Sequence, residues 1–272
     1  MEQDTVKKEK YRVEQCSPKI KISIYKIIAY FTIYTIAGFL IETIFALIVY
    51  GKLESRQGFL YGPFCPIYGV GAVVMILTLK NLKNKIHTLF LGGFVVGGAV
   101  EYLISLFGEY IMNVKWWDYS DRFLNINGRI CVAYCFFWGF LSVYLLKILN
   151  PKVDKFIDYI KSKFNINTLK RITIITAIIL AIDTIITTMA VNAFTARTIV
   201  ENNMEAKNQV FYEKIYFFYH ENDNIKNFVD KYWNEYLMIK IFPNLKITLA
   251  DDTDVLVQNY YKHVKPYYLK LR

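Results

Sequence analysis

The chain has no GxxxxGK[ST], so it carries no P-loop with which to bind ATP itself. GxSxG and HExxH are also missing, and the three histidines, His87, His220 and His263, are scattered, so any hydrolytic role would have to rest on carboxylates. Cys16, Cys65, Cys131 and Cys135 form no CxxC and have no histidine at ligand spacing. That argues against a zinc site, and neither metal nor cofactor is expected. Cys65 and Cys131 both fall at one expected membrane edge. A disulfide is open to them, but free cysteine behaving as a small apolar residue is the simpler reading. No basic stripe stands apart from the apolar segments, so the net charge of +10 does not point to nucleic acid. No internal repeat or low-complexity tract is evident.

What the chain has is apolar sequence, grouped. Hydrophobic residues make up 54% of the 272. They concentrate at 27–50, 63–79, 88–112, 130–149 and 172–191. A bilayer core about 30 Å thick needs about 20 mostly apolar residues in a helix, and every window but the second meets that plainly. The second is short and begins with prolines. The expected fold is an all-α integral membrane protein of five transmembrane helices, with the lipid bilayer as its first partner.

Orientation follows from the basic residues, because short Lys- and Arg-rich loops stay in the cytoplasm. Residues 1–26 hold seven, 80–87 hold three and 147–171 hold seven, against two at 51–62 (Lys52, Arg56) and three at 113–129 (Lys115, Arg122, Arg129). The amino terminus is therefore expected to be cytoplasmic. Residues 1–26 lack an apolar run and a small-residue cleavage site and read as a disordered tail rather than a removed leader. Residues 27–150 form a four-helix core and 172–191 the fifth span. Between them, 151–171 place Val153, Phe156, Ile157 and Ile160 at helical spacing with lysines opposite, an amphipathic connector expected to lie along the inner membrane surface. Residues 192–272 then form a small, mainly helical extracytoplasmic domain.

Ionisable groups within the spans each need an account. Glu42 lies eight residues before the end of the first span, about 12 Å deep at about 1.5 Å per residue. Glu101 is at comparable depth in the third. Gly93, Gly97, Glu101, Ser105 and Glu109 recur every four residues, as do Gly38, Glu42 and Ala46, so each set shares a helix face. Small residues let helices approach, which turns both faces into the bundle. The carboxylates are then either protonated or paired structural glue, or the walls of an outward-facing polar cavity whose arginines, Arg56, Arg122 and Arg129, sit on the same side. For Asp183 an interhelical hydrogen bond to a neighbouring threonine is the expected role.

Two loops concentrate the remaining chemistry. RQGFLYGPFCPIYGVG, at 56–71, packs four glycines and two prolines between two spans. Gly58, Gly62 and Gly69 ease the bend, and Pro63 and Pro66 suit the first turn of the next helix, where a missing N–H costs little. That leaves Tyr61 and Tyr68 held above the carboxylates. In the loop beginning WWDYSDRFLNINGRIC, at 116–131, Trp116, Trp117 and Tyr119 fit an aromatic belt. Asp118, Tyr119, Ser120, Asp121, Arg122, Asn125, Asn127 and Arg129 supply directional groups that either fold the loop on itself or present a site. Gly128 suggests a tight turn into the fourth span.

GFLYGPFCPIYGVGA at 58–72 and WWDYSDRFLNINGRIC, with GFLIETIF around Glu42 and EYLISLFGEY around Glu101, resemble the CmpB-type family of putative ABC-transporter permeases over about 28–150. The resemblance implies a permease-like subunit of a bacterial cell-membrane transporter, with its ATPase supplied by a separate chain and docking near 151–163. Its site would comprise Glu42, Arg56, Tyr61, Tyr68, Glu101, Ser105, Glu109, Asp118, Tyr119, Arg122, Asn125 and Arg129. An alternative class is a membrane-embedded enzyme or lipid-handling protein acting on an anionic or lipid-linked substrate at the outer leaflet, with the carboxylates as acid and base. A third is an envelope-interaction protein working through its carboxy-terminal domain. All three leave room for a homo-oligomer.

Overall fold

A computed structural model of the protein describes residues 22–112 and 114–271. Most of the tail expected at 1–26 lies outside the described residues, as does Cys16. Helix α1 (Ile24–Tyr50) ends at Gly51, whose φ of 63° lets its N–H turn back to the Leu47 carbonyl. Helix α2 (Pro66–Leu79) begins on a proline, runs into a 3-10 turn at Lys80–Leu82, and is followed by α3 (Ile86–Met112). Then come α4 (Val132–Tyr144), a π-helical stretch at Leu145–Leu149, and α5 (Asn150–Lys163), which together form one rod from Val132 to Lys163. Asn165 caps α6 (Ile166–Glu201) by accepting from the Asn167 N–H.

Among the described residues, four helices are long and apolar enough to cross a membrane: Ile24–Tyr50, Ile86–Ile111, Val132–Lys163 and Ile166–Glu201. The window at 63–79 differs from its sequence reading: Pro63 stays in the loop, the helix starts at Pro66, and the apolar segment Pro66–Leu82 falls below that length. The window at 172–191 is only the middle of α6.

Pro151 falls inside the Val132–Lys163 rod. It lacks an N–H and its ring crowds the carbonyl four residues back, so a regular helix cannot simply run through it. The π-helical stretch immediately before it widens the rod there and lets the helix continue. As a result α5 packs on the bundle instead of lying apart. Val153 and Ile157 are buried in one cluster with Tyr30 and Tyr34 of α1. The Tyr30 hydroxyl donates to Asp154, Lys26 Nζ lies 2.6 Å from the same carboxylate, and the Tyr34 hydroxyl donates to Asn150 Oδ1 at 2.9 Å. Only part of the expected lipid-facing surface, Phe156 among it, remains exposed.

The helices cross tightly where the small residues are. A Cβ on Gly38 would collide with Tyr68, and one on Gly69 with Thr35 and Phe31, so α1 and α2 touch backbone to side chain. Gly93 and Gly97 admit Ser142 and Trp138 of α4 onto α3 in the same way. Gly69 is therefore a packing residue inside α2 rather than part of the turn.

Short strands tie the rest to one end of this bundle. Strand β1 (Lys52–Glu54), after α1, pairs antiparallel with β7 (Tyr267–Lys270). Strand β2 (Val114–Lys115), after α3, pairs with β5 (Lys246–Thr248), which pairs in turn with β6 (Asp254–Leu256). The hairpin β3 (Asn125–Ile126) and β4 (Ile130–Cys131) stands between α3 and α4. Helices α7 (Gln209–His220), α8 (Asp223–Tyr232) and α9 (Glu235–Ile241) complete the carboxy-terminal part. Its core, including Tyr212, Met238, Ile239 and Ile247, closes around the last third of α6, where Ala190, Val191, Phe194 and Ile199 are buried.

Candidate functional site

The stripe on α3 and the stripe on α1 are linked inside the bundle through side chains of α2 and α4. Glu101 is 4% exposed, and both its oxygens are taken: the Tyr119 hydroxyl donates to Oε1 at 3.0 Å and the Trp138 indole N–H to Oε2 at 2.9 Å. The Tyr68 hydroxyl donates to Glu42, and its ring lies 5.8 Å from that of Trp138. Two carboxylates, two tyrosines and one tryptophan, drawn from α1, α2, α3, α4 and the α3–α4 loop, thus form one polar junction. Ser105 is buried on the same stripe one turn beyond Glu101. The Tyr119 ring stacks on Tyr134 at 4.5 Å. Burial first, then the Glu101 carboxylate and Tyr134, push the Tyr119 hydroxyl well above the ordinary phenol range, so it acts as a donor throughout the physiological range.

The arginines do not join this junction. Arg56 lies 3.3 Å from Glu54 Oε2 and stacks over Tyr50. Arg129 is 2.6 Å from Glu109 Oε2 and over Tyr102. Arg122 is exposed, 3.9 Å from Asp121. The expected arrangement of arginines facing Glu42 and Glu101 is replaced by three local pairings, since each guanidinium has a nearer carboxylate. Glu109, in line with Glu101 on α3, belongs with Arg129 and not with the junction.

The loop between α1 and α2 is built on its neighbours. Leu60 N–H donates to Thr187 Oγ1 at 2.7 Å and Tyr61 N–H to Asp183 Oδ1 at 3.2 Å, both on α6; Cys65 N–H donates to the Thr35 carbonyl of α1. Within the loop, Gln57 Nε2 donates to the Gly62 carbonyl at 2.8 Å, and Gly58 packs on Pro66. Asp183 therefore anchors one backbone amide and is bonded by Thr187 of its own helix at 3.3 Å, not by a threonine across the interface. Thr187 was not anticipated as part of the site; the only signal for it is its place one turn after an intramembrane aspartate. Tyr61 is half-exposed and its side chain lies outside the junction.

The loop between α3 and α4 mostly folds on itself. Asn127 and Gly128, with φ of 53° and 65°, form the two-residue turn of the β3–β4 hairpin, closed by Arg129 N–H to the Ile126 carbonyl. Gly128 thus turns a hairpin rather than leading into the helix, and the Asn-Gly pair is the signal that identifies it. Asn125 donates to the Ser120 and Arg122 carbonyls and accepts from Gly128 N–H. Asp118 accepts from the Ser120 N–H and hydroxyl and lies 3.3 Å from Lys246 of β5. Burial would raise the Asp118 carboxyl, but the Ser120 hydrogen bonds and the Lys246 ammonium outweigh it and hold it below the usual range.

Cys65, Cys131 and Cys135 are free thiols. Among the described residues no group of three or more His, Cys, Asp or Glu is placed to hold a metal ion. The junction can do what hydroxyl-bonded carboxylates do: release a hydrogen bond to an arriving donor, or take up a proton or a cation in its place.

A sequence profile described as "Putative ABC-transporter type IV" matches residues 29–188, from α1 into α6, and so takes in both loops and the junction. No curated protein and no solved structure matches the chain.

Proposed function

The chain belongs to the Putative ABC-transporter type IV family, and on that premise we propose that it is the membrane subunit of a bacterial cytoplasmic-membrane transporter whose ATPase is a separate chain. The carrying observation is the junction of Glu42, Tyr68, Trp138, Glu101 and Tyr119. Intramembrane carboxylates are costly to keep, and here one of the two donors to Glu101, Tyr119, comes from a loop and can be exchanged while Trp138 of α4 stays in place. In this reading a solute or ion enters from the loop end, takes the place of Tyr119 on Glu101, and passes along the face shared with Glu42.

Five crossings, with the amino terminus in the cytoplasm and the carboxy-terminal domain outside, fit this reading. The basic residues favour that orientation. The pairings of β1 with β7 and β2 with β5 put both motif loops and the carboxy-terminal part at one end, as an odd number of crossings requires. Loop amides that reach α6 at Thr187 and Asp183, inside its exposed apolar section, let the short α2 start within the bundle rather than at its rim. The ATPase would dock on the exposed face of residues 151–163, which carries Lys152, Phe156 and Tyr159. The outer-leaflet enzyme reading is weaker, because Arg56 and Arg129 are engaged elsewhere and, among the described residues, no guanidinium is paired with Glu42 or Glu101 to hold a phosphate.

Purification from native membranes in mild detergent, followed by mass spectrometry, tests the proposal. A nucleotide-binding chain should co-purify, and Glu101→Gln at unchanged abundance should bring solute-stimulated ATP hydrolysis to background. Absence of any nucleotide-binding partner, or full stimulation in Glu101→Gln, overturns it.

A further inference from the structure

Beside the Glu109–Arg129 pair, away from the junction, a groove of about 520 Å³ separates the end of α3 from the start of α7. Leu106, Tyr110 and Ile111 form one wall and Phe211 of α7 the other, while Arg129, Lys207 and Glu109 give it a polar end. Its size suits one hydrocarbon chain with a small headgroup.

Two observations say what fits there. The apolar wall is continuous with surface that a membrane-crossing α3 turns to lipid: Leu103, Phe107, Tyr110 and Ile111 are exposed there. On the far side α7 carries that surface onward, because Val210, Phe211, Phe217 and Phe218 are exposed and spaced along one helical face. An aromatic helix face of this kind belongs at the membrane interface rather than in water. The polar end, in turn, has two cations, each in an ion pair that a phosphate would have to displace or share: Arg129 with Glu109, and Lys207 with the exposed Asp252. Arg129 spends one terminal nitrogen on Glu109. A guanidinium and an ammonium lining one groove suit a phosphate, whose oxygens accept charge-assisted hydrogen bonds from both.

We propose that this groove binds a single phosphate-bearing membrane lipid, its chain against Leu106, Ile111 and Phe211 and its phosphate at Arg129 and Lys207. The assignment requires only that α3 cross a membrane. It stands or falls apart from transport, since binding is read on the purified chain without ATPase or solute.

The test is native mass spectrometry of the full chain in detergent, titrated with phosphatidylglycerol, a polyprenyl phosphate or diacylglycerol. A one-lipid adduct should form with a phosphate lipid at concentrations where diacylglycerol gives none. Preference for phosphatidylglycerol identifies bulk phospholipid as the source, and preference for the polyprenyl phosphate identifies a lipid-linked carrier. Arg129→Gln should weaken the adduct by about tenfold, the scale of one lost charge-assisted hydrogen bond. If that variant does not fold, Leu106→Trp decides, since it keeps the cations and fills the apolar wall; it should abolish the adduct with circular dichroism and elution unchanged. Equal binding of diacylglycerol, no adduct with either phosphate lipid, or unaltered binding in folded Arg129→Gln or Leu106→Trp overturns the proposal.

Discussion

The loops at 51–65 and 114–131 meet at the same end of the bundle, yet they are held by opposite means. The first, besides its own Gln57 and Gly58–Phe64 bonds, has its backbone tied to other helices: the amides of Leu60 and Tyr61 are spoken for by Thr187 and Asp183, more than a hundred residues on, and that of Cys65 by Thr35. The second is largely self-sufficient, with a two-residue hairpin and the Asp118 and Asn125 side chains closing it from within. Apart from the β2–β5 pairing, its ties outward are side-chain contacts, among them Tyr119 to Glu101, Asp118 to Lys246 and Lys115 to Asp254. A loop tied to helices by its backbone reports the position of the helix that holds it. A self-built loop can move as a unit and change only what its outward side chains touch.

Hydrogen exchange separates the two kinds. The largest effect is expected from Thr187→Val. It strips the Leu60 N–H of its acceptor in a place that is 2% exposed, and an unsatisfied buried amide costs about 1–3 kcal/mol. Exchange at 57–62 should accelerate while 119–129 stays as it was; equal acceleration in both would erase the distinction. Gly128→Ala is the converse. At φ 65°, with a new Cβ 2.5 Å from Ser120 Oγ, it should cost about 1–2 kcal/mol and loosen 119–129 alone.

The smallest effect is a pH dependence. The Asp118 carboxyl titrates below the usual Asp value when folded, so its contribution is complete above that usual value, near pH 4, and is lost as pH falls through its lowered folded value. With solvent screening it should amount to less than about 1 kcal/mol. Exchange at 119–129, taken relative to the intrinsic amide rate at each pH, should rise modestly as pH falls below about 4, and Asp118→Asn should remove that pH dependence; an undiminished rise in the variant would assign it elsewhere.

The long apolar runs made α1, α3, α4 and α6 legible, because burial in lipid leaves little choice of residue. The small-then-acidic stripe from Gly93 to Glu109 was legible for a related reason: four-residue spacing fixes a face whatever the face meets. Which partner each charge takes was not. Arg56 goes to Glu54, two residues away, and a spacing argument cannot weigh that against a carboxylate on another helix. Asp183 binds a backbone amide 122 residues earlier, and an amide has no signature in sequence. Strands of two to four residues, such as β1 and β7, are too short to show a period. The Asn-Gly hairpin was in plain sight; its nearness to a span made a helix start the more obvious reading.

Helix α6 has a mechanical consequence. Its 36 residues make a rod about 54 Å long at about 1.5 Å rise per residue, and Asp183 and Thr187 sit near its middle. One end follows directly on the α5 turn, and the other is buried in the carboxy-terminal core. A rod gripped at its midpoint is a lever with a fulcrum. If the α5 end is pushed sideways, the carboxy-terminal core swings the opposite way by a comparable distance, and the loop at 51–65 is the bearing on which it turns.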